Sequence, residues 1–148
     1  TQPASELAGA LAELKSLAAV AKTSAVRQLC YGALISAVGN GDDAFLQAST
    51  SKDGLRDFLA AASGVSDEDV RGRLYSRVLP LISELPSGLK PEAGDEKIHD
   101  LAIRTLGAIP GHGKEKFSAL TAQLKAGRNR DASIEVLRGI SREDWKKE

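Results

Sequence analysis

The residues of this sequence that come nearest to a known chemical motif lie at 106–115, which reads LGAIPGHGKE. Its Gly-His-Gly-Lys segment is similar to the end of a P-loop, in which backbone N–H groups and a lysine hold nucleotide phosphates. That motif needs a first glycine, a hydroxyl residue after the lysine and a buried β-strand before the loop. Here Ala108 replaces the first glycine, Glu115 replaces the hydroxyl residue, and a helical pattern precedes the loop. We therefore predict a turn between two helices at this stretch.

The other side chains that could act as nucleophiles, bases or metal ligands are few and scattered. His99 follows the apolar Ile98 and His112 lies in the predicted turn, and neither has neighbours that resemble a tetrahedral zinc site. Cys30, the single cysteine, lies beside Leu29 on an apolar helical stripe, which favours a buried core residue over a nucleophile. The acidic residues lie mainly in predicted first turns, where helix dipoles explain them. We predict no catalytic residue, no metal site and no cofactor.

Basic residues cluster at two predicted turns of the C-terminal third. Lys114 follows the PGHG turn, whereas Arg128 and Arg130 belong to a second turn that reads GRNRD. A solvated turn is the simpler interpretation, and contact with an acidic partner or a phosphate is the alternative. Trp145, the single tryptophan, is expected to pack over the last helix pair or to seat a neighbouring domain. The residues predicted to bind a partner are therefore His112, Lys114, Arg128, Arg130 and Trp145.

Helical periodicity dominates the segments that must position these turns, and no segment alternates as a strand would. The 148 residues contain only 4% aromatics, and a core of small aliphatic groups suits close helix packing. Pro80 lies inside one helical pattern and is expected to kink or split that helix near Val78. We predict an all-α fold of about eight helices in one domain that spans residues 1–148.

Two internal similarities indicate how the helices are arranged. DLAIRTLGAI, which starts at Asp100, echoes DASIEVLRGI, which starts at Asp131. VRQLCYGALI at Val26 and VRGRLYSRVL at Val70 share valine, arginine and tyrosine at equal spacing. The second offset is close to the period of HEAT-type repeats. We therefore predict stacked antiparallel helix pairs in a HEAT- or armadillo-like α-α superhelix, in preference to a closed four-helix bundle.

Charge and hydropathy restrict the partners. Lysine plus arginine and aspartate plus glutamate both number 20, so no global field favours nucleic acid or an anionic membrane. No apolar run approaches the roughly 20 residues that span a bilayer, so we predict no membrane insertion. The sequence begins at Thr1 and contains no methionine, which leads us to expect a piece of a longer multidomain protein.

The C-terminal part resembles a known helical segment. The residues that carry the resemblance are Leu106, Ile109, Pro110, Gly111, Gly127, Arg130, Ala132, Leu137, Ile140 and Trp145. Through these residues the segment is similar to the HEAT-like repeats of large secreted proteins of planctomycetes and verrucomicrobia described as haem-binding or as membrane-bound dehydrogenases. In those proteins such a segment lies near a c-type cytochrome domain. The resemblance implies a periplasmic or otherwise exported module. It does not imply haem binding, since those cytochromes use Cys-x-x-Cys-His and this chain has one cysteine.

Together these patterns predict a non-catalytic helical-repeat module for protein interaction or spacing within a larger periplasmic protein. Its partner would be another protein or a neighbouring domain of the same chain. One alternative is a small-molecule-binding or enzymatic all-α domain with a pocket between helices. Another is a domain that docks a neighbouring cytochrome without ligating haem.

Overall fold

A computed structural model describes residues 4–144 of the chain. All regular structure in this range is helical, which confirms the predicted all-α class. The helices are α1 (Ala4–Val20), α2 (Ser24–Val38), α3 (Asp42–Ala48), α4 (Lys52–Ser63), α5 (Glu68–Gly72), α6 (Tyr75–Val78), α7 (Glu96–Ala108), α8 (Gly113–Lys125) and α9 (Arg130–Arg138). Short 3₁₀ turns lie at Leu79–Ile82, Ala93–Asp95 and Arg142–Asp144.

The break around Pro80 lies where the sequence predicts it. α6 ends at Val78, and the 3₁₀ turn Leu79–Ile82, with proline near its start, replaces a further helical turn. Proline lacks the N–H that would continue an α-helical hydrogen-bond ladder, which explains the change. The same stretch is also interrupted one turn earlier, between α5 and α6, so the predicted long helix is two short ones.

Most contacts between helices join elements that are near each other in the sequence. α2 packs between α1 and α4, α4 packs between α2 and α7, and α7 packs between α4 and α9. α3 covers α4 from the side, and α8 packs on α9. The largest fully buried side chains come mainly from α2, α4 and α7: Leu34, Ile35, Leu55, Phe58, Leu59, Leu74, Leu81, Ile98, Ile103, Leu106, Ile109 and Leu120.

A buried ion pair joins α2 to α4. Arg27 Nε donates to Asp57 Oδ2 at 2.5 Å, and Gln28 Nε2 donates to Asp57 Oδ1 at 3.2 Å. Asp57 is only 2% exposed, so these donors replace the water that its carboxylate loses on folding. Arg27 is the only charged residue of α2. The one charge of this helix is therefore used inside the chain.

A second ion pair ties the start of α4 to the turn before α7 and makes stability depend on pH. Lys52 Nζ lies 2.9 Å from Asp95 Oδ1, and the Glu92 N–H donates to Asp95 Oδ2 at 2.7 Å. The neighbouring ammonium group of Lys52, followed by the hydrogen bond from the Glu92 N–H, holds the pKa of Asp95 below its ordinary value. Because the folded-state pKa is the lower one, the stabilisation is present above the unfolded-state pKa and disappears as the pH falls through the folded-state value.

We therefore expect the free energy of unfolding to decrease with acidification below about pH 4. The Asp95→Asn variant should be less stable at neutral pH and should lose less on acidification, since it has no carboxylate to protonate at this position. Urea unfolding at several pH values between neutral and acidic gives the dependence of the unfolding free energy on pH for the parent and for the variant. Parallel curves for the two proteins would show that Asp95 makes no such contribution.

Candidate functional site

The predicted turn 109–113 lies at a junction of four elements. The end of α7, the start of α8, the end of α9 and the last 3₁₀ turn enclose a surface cleft of about 450 Å³. Four of its twelve lining residues are glycines, which lets the backbones approach closely: Gly107, Gly111, Gly113 and Gly139. The cleft brings charged side chains of α7, α8 and α9 close together.

The turn itself has the role predicted from its sequence, because α7 ends at Ala108 and α8 begins at Gly113. Gly111 and His112 both have left-handed backbone conformations, with φ of 78° and 58°. The imidazole of His112 stacks on the phenol ring of Tyr75, with ring centroids 3.8 Å apart and planes 6° from parallel. This contact holds the turn against α6 and accounts for the position of the histidine.

Two long basic side chains satisfy carbonyl groups at the end of α7. Arg71 donates through Nε to the Ala108 carbonyl at 2.8 Å and through Nη1 to the Val65 carbonyl at 2.7 Å. Lys116 Nζ donates to the Ile109 carbonyl. Cations are favourable there, since a helix C-terminus carries partial negative charge and unpaired carbonyls. Both residues are therefore explained by the ending of α7.

Lys116 is the most deeply buried charged residue that lines the cleft. Its side chain is only 5% exposed, and burial lowers the pKa of its ammonium group. Its position is nevertheless fixed by the carbonyl of Ile109. Nearby, the Asp144 carboxylate lies so close to Gly113 that a Cβ there would be 2.1 Å from Oδ2. A negative group thus already occupies the start of α8, where an anionic ligand would otherwise be favoured.

The remaining charges at the cleft also pair with each other. Arg104 on α7 donates to Glu135 on α9. Among the described residues, no group of three histidine, cysteine, aspartate or glutamate side chains could hold a metal ion. The geometry of the cleft is that of a structural junction between helices.

We expect the Arg71→Met variant to lose about 1–3 kcal/mol of unfolding free energy, since it strips partly buried carbonyls of their donors. Arg128→Met, at an exposed turn, is the matched control and should stay within about 0.5 kcal/mol of the parent. Chemical denaturation followed by circular dichroism measures both. Equal effects of the two substitutions would contradict the role of Arg71 at the end of α7.

The four predicted binding residues that lie in the described part of the chain belong to two separate turns. His112 and Lys114 lie at the start of α8, whereas Arg128 and Arg130 follow its end. Thirteen residues of α-helix separate the two turns, a length of about 20 Å. Both basic turns are exposed, and Trp145 lies outside the described residues. The two turns are therefore separate surface elements, and binding through either of them stays a prediction.

A different surface stands out once exposure is considered. Five large aliphatic side chains of the described chain are exposed, and all belong to its N-terminal third: Leu17, Val20, Val26, Leu29 and Leu46. Leu29 on α2 is 74% exposed and Val20 on α1 is 72% exposed. We use "α1–α2 layer" for the exposed, uncharged side chains Leu17, Ala19, Val20, Ala25, Val26, Leu29, Ala33, Ser36 and Ala37.

The outer face of α2 carries no formal charge, because its single arginine is paired with Asp57. The outer side of α4 differs, since it carries an exposed ion pair in which Arg56 Nη2 lies 2.6 Å from Asp53 Oδ1. A helix at a protein surface normally presents charged residues to water, and one that lacks them resembles a buried helix. By this criterion α2 has the composition of a helix that is covered on both sides.

A groove runs between α2 and α4 beside this face. It has a volume of about 590 Å³, and none of its eleven lining residues is charged. Most of these residues have small side chains, which leaves room in the groove for a side chain of another molecule. The lining residues are Ala25, Gln28, Leu29, Gly32, Ala33, Ser36, Ala60, Ala61, Gly64, Val65 and Ser66. We call it the α2–α4 groove.

The sequence predicts that Leu29 and Cys30 share one core stripe, and this is only half right. Cys30 is buried as predicted, but Leu29 points to solvent. The signal that was available is the width of the apolar arc, since residues 29–38 contain no charged side chain at all. An arc that wide exceeds what one core-facing stripe needs.

Comparison of the chain with protein-family models, with curated protein sequences and with solved structures gives no match. Within residues 4–144, no helix is long and apolar enough to cross a membrane.

Proposed function

We propose that the protein is a non-catalytic helical interaction module that docks a partner protein through its α1–α2 layer. The observation that carries this proposal is the outer face of α2, which exposes Leu29 and has no charged side chain. Several large apolar side chains exposed on two packed helices are typical of a protein interface, whereas single scattered apolar residues are not.

The energy available from covering the layer supports docking. Burying a Leu or Val side chain that is now exposed is worth about 1.5–3 kcal/mol at most. Several of them lie on two adjacent helices of 17 and 15 residues. Two such helices, about 25 Å long and 10 Å across, cover roughly 500 Å², which is of the order of one side of a standard interface.

The packing order along the chain supports the helix-pair part of the proposal. Contacts join α1 to α2, α2 to α4, α4 to α7 and α7 to α9, whereas the 13-residue α8 packs on α9. Such an order suits a stack of HEAT-like pairs, in which an end helix needs either a polar outer face or a neighbour that covers it. We propose further, on the resemblance of the C-terminal segment, that the module works in an exported multidomain protein.

Site-specific photo-crosslinking tests the proposed function. A benzophenone amino acid placed at Leu17 or Leu29 is expected to form protein adducts in the native extract, because both positions belong to the α1–α2 layer. The same probe at Lys125, exposed on α8, is the control and should form few adducts. Equal or absent adducts at all three positions would contradict docking through this layer.

A further inference from the structure

We propose that the α2–α4 groove is occupied by α2 of a second copy of the chain, which makes an isologous dimer about a twofold axis that crosses α2. This inference rests on the proposed function and names the partner for the part of the α1–α2 layer that borders the α2–α4 groove. It follows from the shape of the face, from a glycine that has no role within one chain, and from charge.

The face carries both a protruding and a receiving element. Leu29 protrudes, at 74% exposure, while Gly32 and Ser36 lie along the same groove one and two turns later. A twofold axis between positions 29 and 32 runs the two α2 helices antiparallel and sets each Leu29 over Gly32 of the partner copy. A surface that contains its own complement is what an isologous contact requires.

Packing among the described residues does not explain Gly32. It lies inside α2, where glycine is less favourable than alanine because it loses more backbone freedom on folding. A Cβ at this position would have nothing within 4 Å, so no neighbouring helix requires its absence. By contrast, a Cβ at Gly107 would lie 2.9 Å from Val136 Cγ2, which explains that glycine by the packing of α7 on α9. Close approach of a second chain gives Gly32 a comparable reason.

Charge favours a second copy over an acidic or basic partner. The groove and the outer face of α2 are uncharged, so two copies meet there without stripping water from a charge. The whole chain has a formal net charge of zero, so two copies do not repel each other at long range. A strongly charged partner would find no complementary group on this face.

Sedimentation velocity across a concentration series tests the dimer. From about 1 µM to about 1 mM, the parent chain should shift from its 15.6 kDa monomer mass towards twice that value. Leu29→Glu and Gly32→Leu should each raise the dimer dissociation constant by at least about tenfold, by placing charge or bulk in the contact. The Gly32→Leu variant is expected to fold like the parent, since the space around Gly32 is open. A loss of dimer in this variant would therefore not be due to misfolding. Leu46→Glu, exposed on α3 outside the groove, is the matched control and should dimerise like the parent.

A parent chain that stays monomeric over the whole range would overturn the dimer. The proposed function would survive that result if the probe at Leu29 still forms adducts with a different protein. A dimer that tolerates both Leu29→Glu and Gly32→Leu would also overturn the inference, because its contact would lie elsewhere. Adducts of the Leu29 probe at the mass of two copies, lost in the Gly32→Leu background, would support it.

Discussion

Replacing Phe58 by alanine is expected to lower the free energy of unfolding by about 3–5 kcal/mol, enough to leave a domain of this size marginal. Phe58 is fully buried on α4, the helix that joins α2 to α7. Its ring meets that of Phe45 edge to face, with centroids 5.5 Å apart and planes at 72°. The substitution removes this aromatic contact and leaves a cavity at the centre of the packing order.

Urea unfolding followed by circular dichroism gives the loss directly. Leu46→Ala, whose side chain is 65% exposed on α3, is the control and should change stability by no more than about 0.5 kcal/mol. A Phe58→Ala variant that unfolds with nearly the midpoint of the parent would show that α4 is not the centre of the core.

Two glycines inside helices are expected to respond to alanine with opposite signs. A Cβ at Gly54, in the first turn of α4, would lie 2.5 Å from the backbone oxygen of Ala48. Neither the backbone oxygen nor the helix start can move freely, so Gly54→Ala should cost about 1–3 kcal/mol. Gly32→Ala meets open space in α2 and should add about 0.5–1 kcal/mol to the stability of the monomer.

The two variants form one experiment, measured by thermal or urea unfolding at a concentration low enough to keep the chain monomeric. The stability of the parent should lie between theirs if Gly54 is required by close packing within the chain and Gly32 is not. A Gly32→Ala variant that destabilises the monomer would mean that Gly32 serves the single chain, and one reason to expect the dimer would disappear.

Much of the fold follows from the sequence because its signals are local. A proline in the interior of a helix kinks or breaks the helix whatever surrounds it. Accordingly, α6 ends at Val78, shortly before Pro80. The PGHG turn separates α7 from α8 because glycine and proline stop helices independently of tertiary context. Cys30 is buried as predicted, in keeping with the usual behaviour of a free cysteine as a small hydrophobic residue.

Other features depend on neighbours that periodicity does not specify. Apolar residues surround most of α2, so their spacing alone does not decide whether the side with Leu29 or the side with Leu34 faces the core. The structure buries Leu34 and exposes Leu29. Likewise, Lys116 and Arg71 resemble ordinary surface cations in the sequence, and only the tertiary fold brings them to the carbonyls of α7.

The predicted binding residues show the same limit. His112 and Arg128 belong to two turns whose distance in space the sequence does not specify. A helix of thirteen residues separates those turns, and the exposed apolar side chains lie instead on α1, α2 and α3. Binding by Lys114, Arg128 and Arg130 stays a prediction that is independent of the α1–α2 layer.

The most direct measurement of whether the outer face of α2 is covered is the rate at which maleimide labels a cysteine introduced at Ser36. Cys30 is buried and would first be replaced by alanine to remove background labelling. Ser36 is exposed in the single chain, as is the control Ser118 on α8. At high concentration we expect the Ser36→Cys site to be labelled at least about tenfold more slowly than the Ser118→Cys site, and to regain the control rate on dilution. Equal rates at both sites, at every concentration and in the native extract, would show that this face stays open to water and would contradict its role as a docking surface.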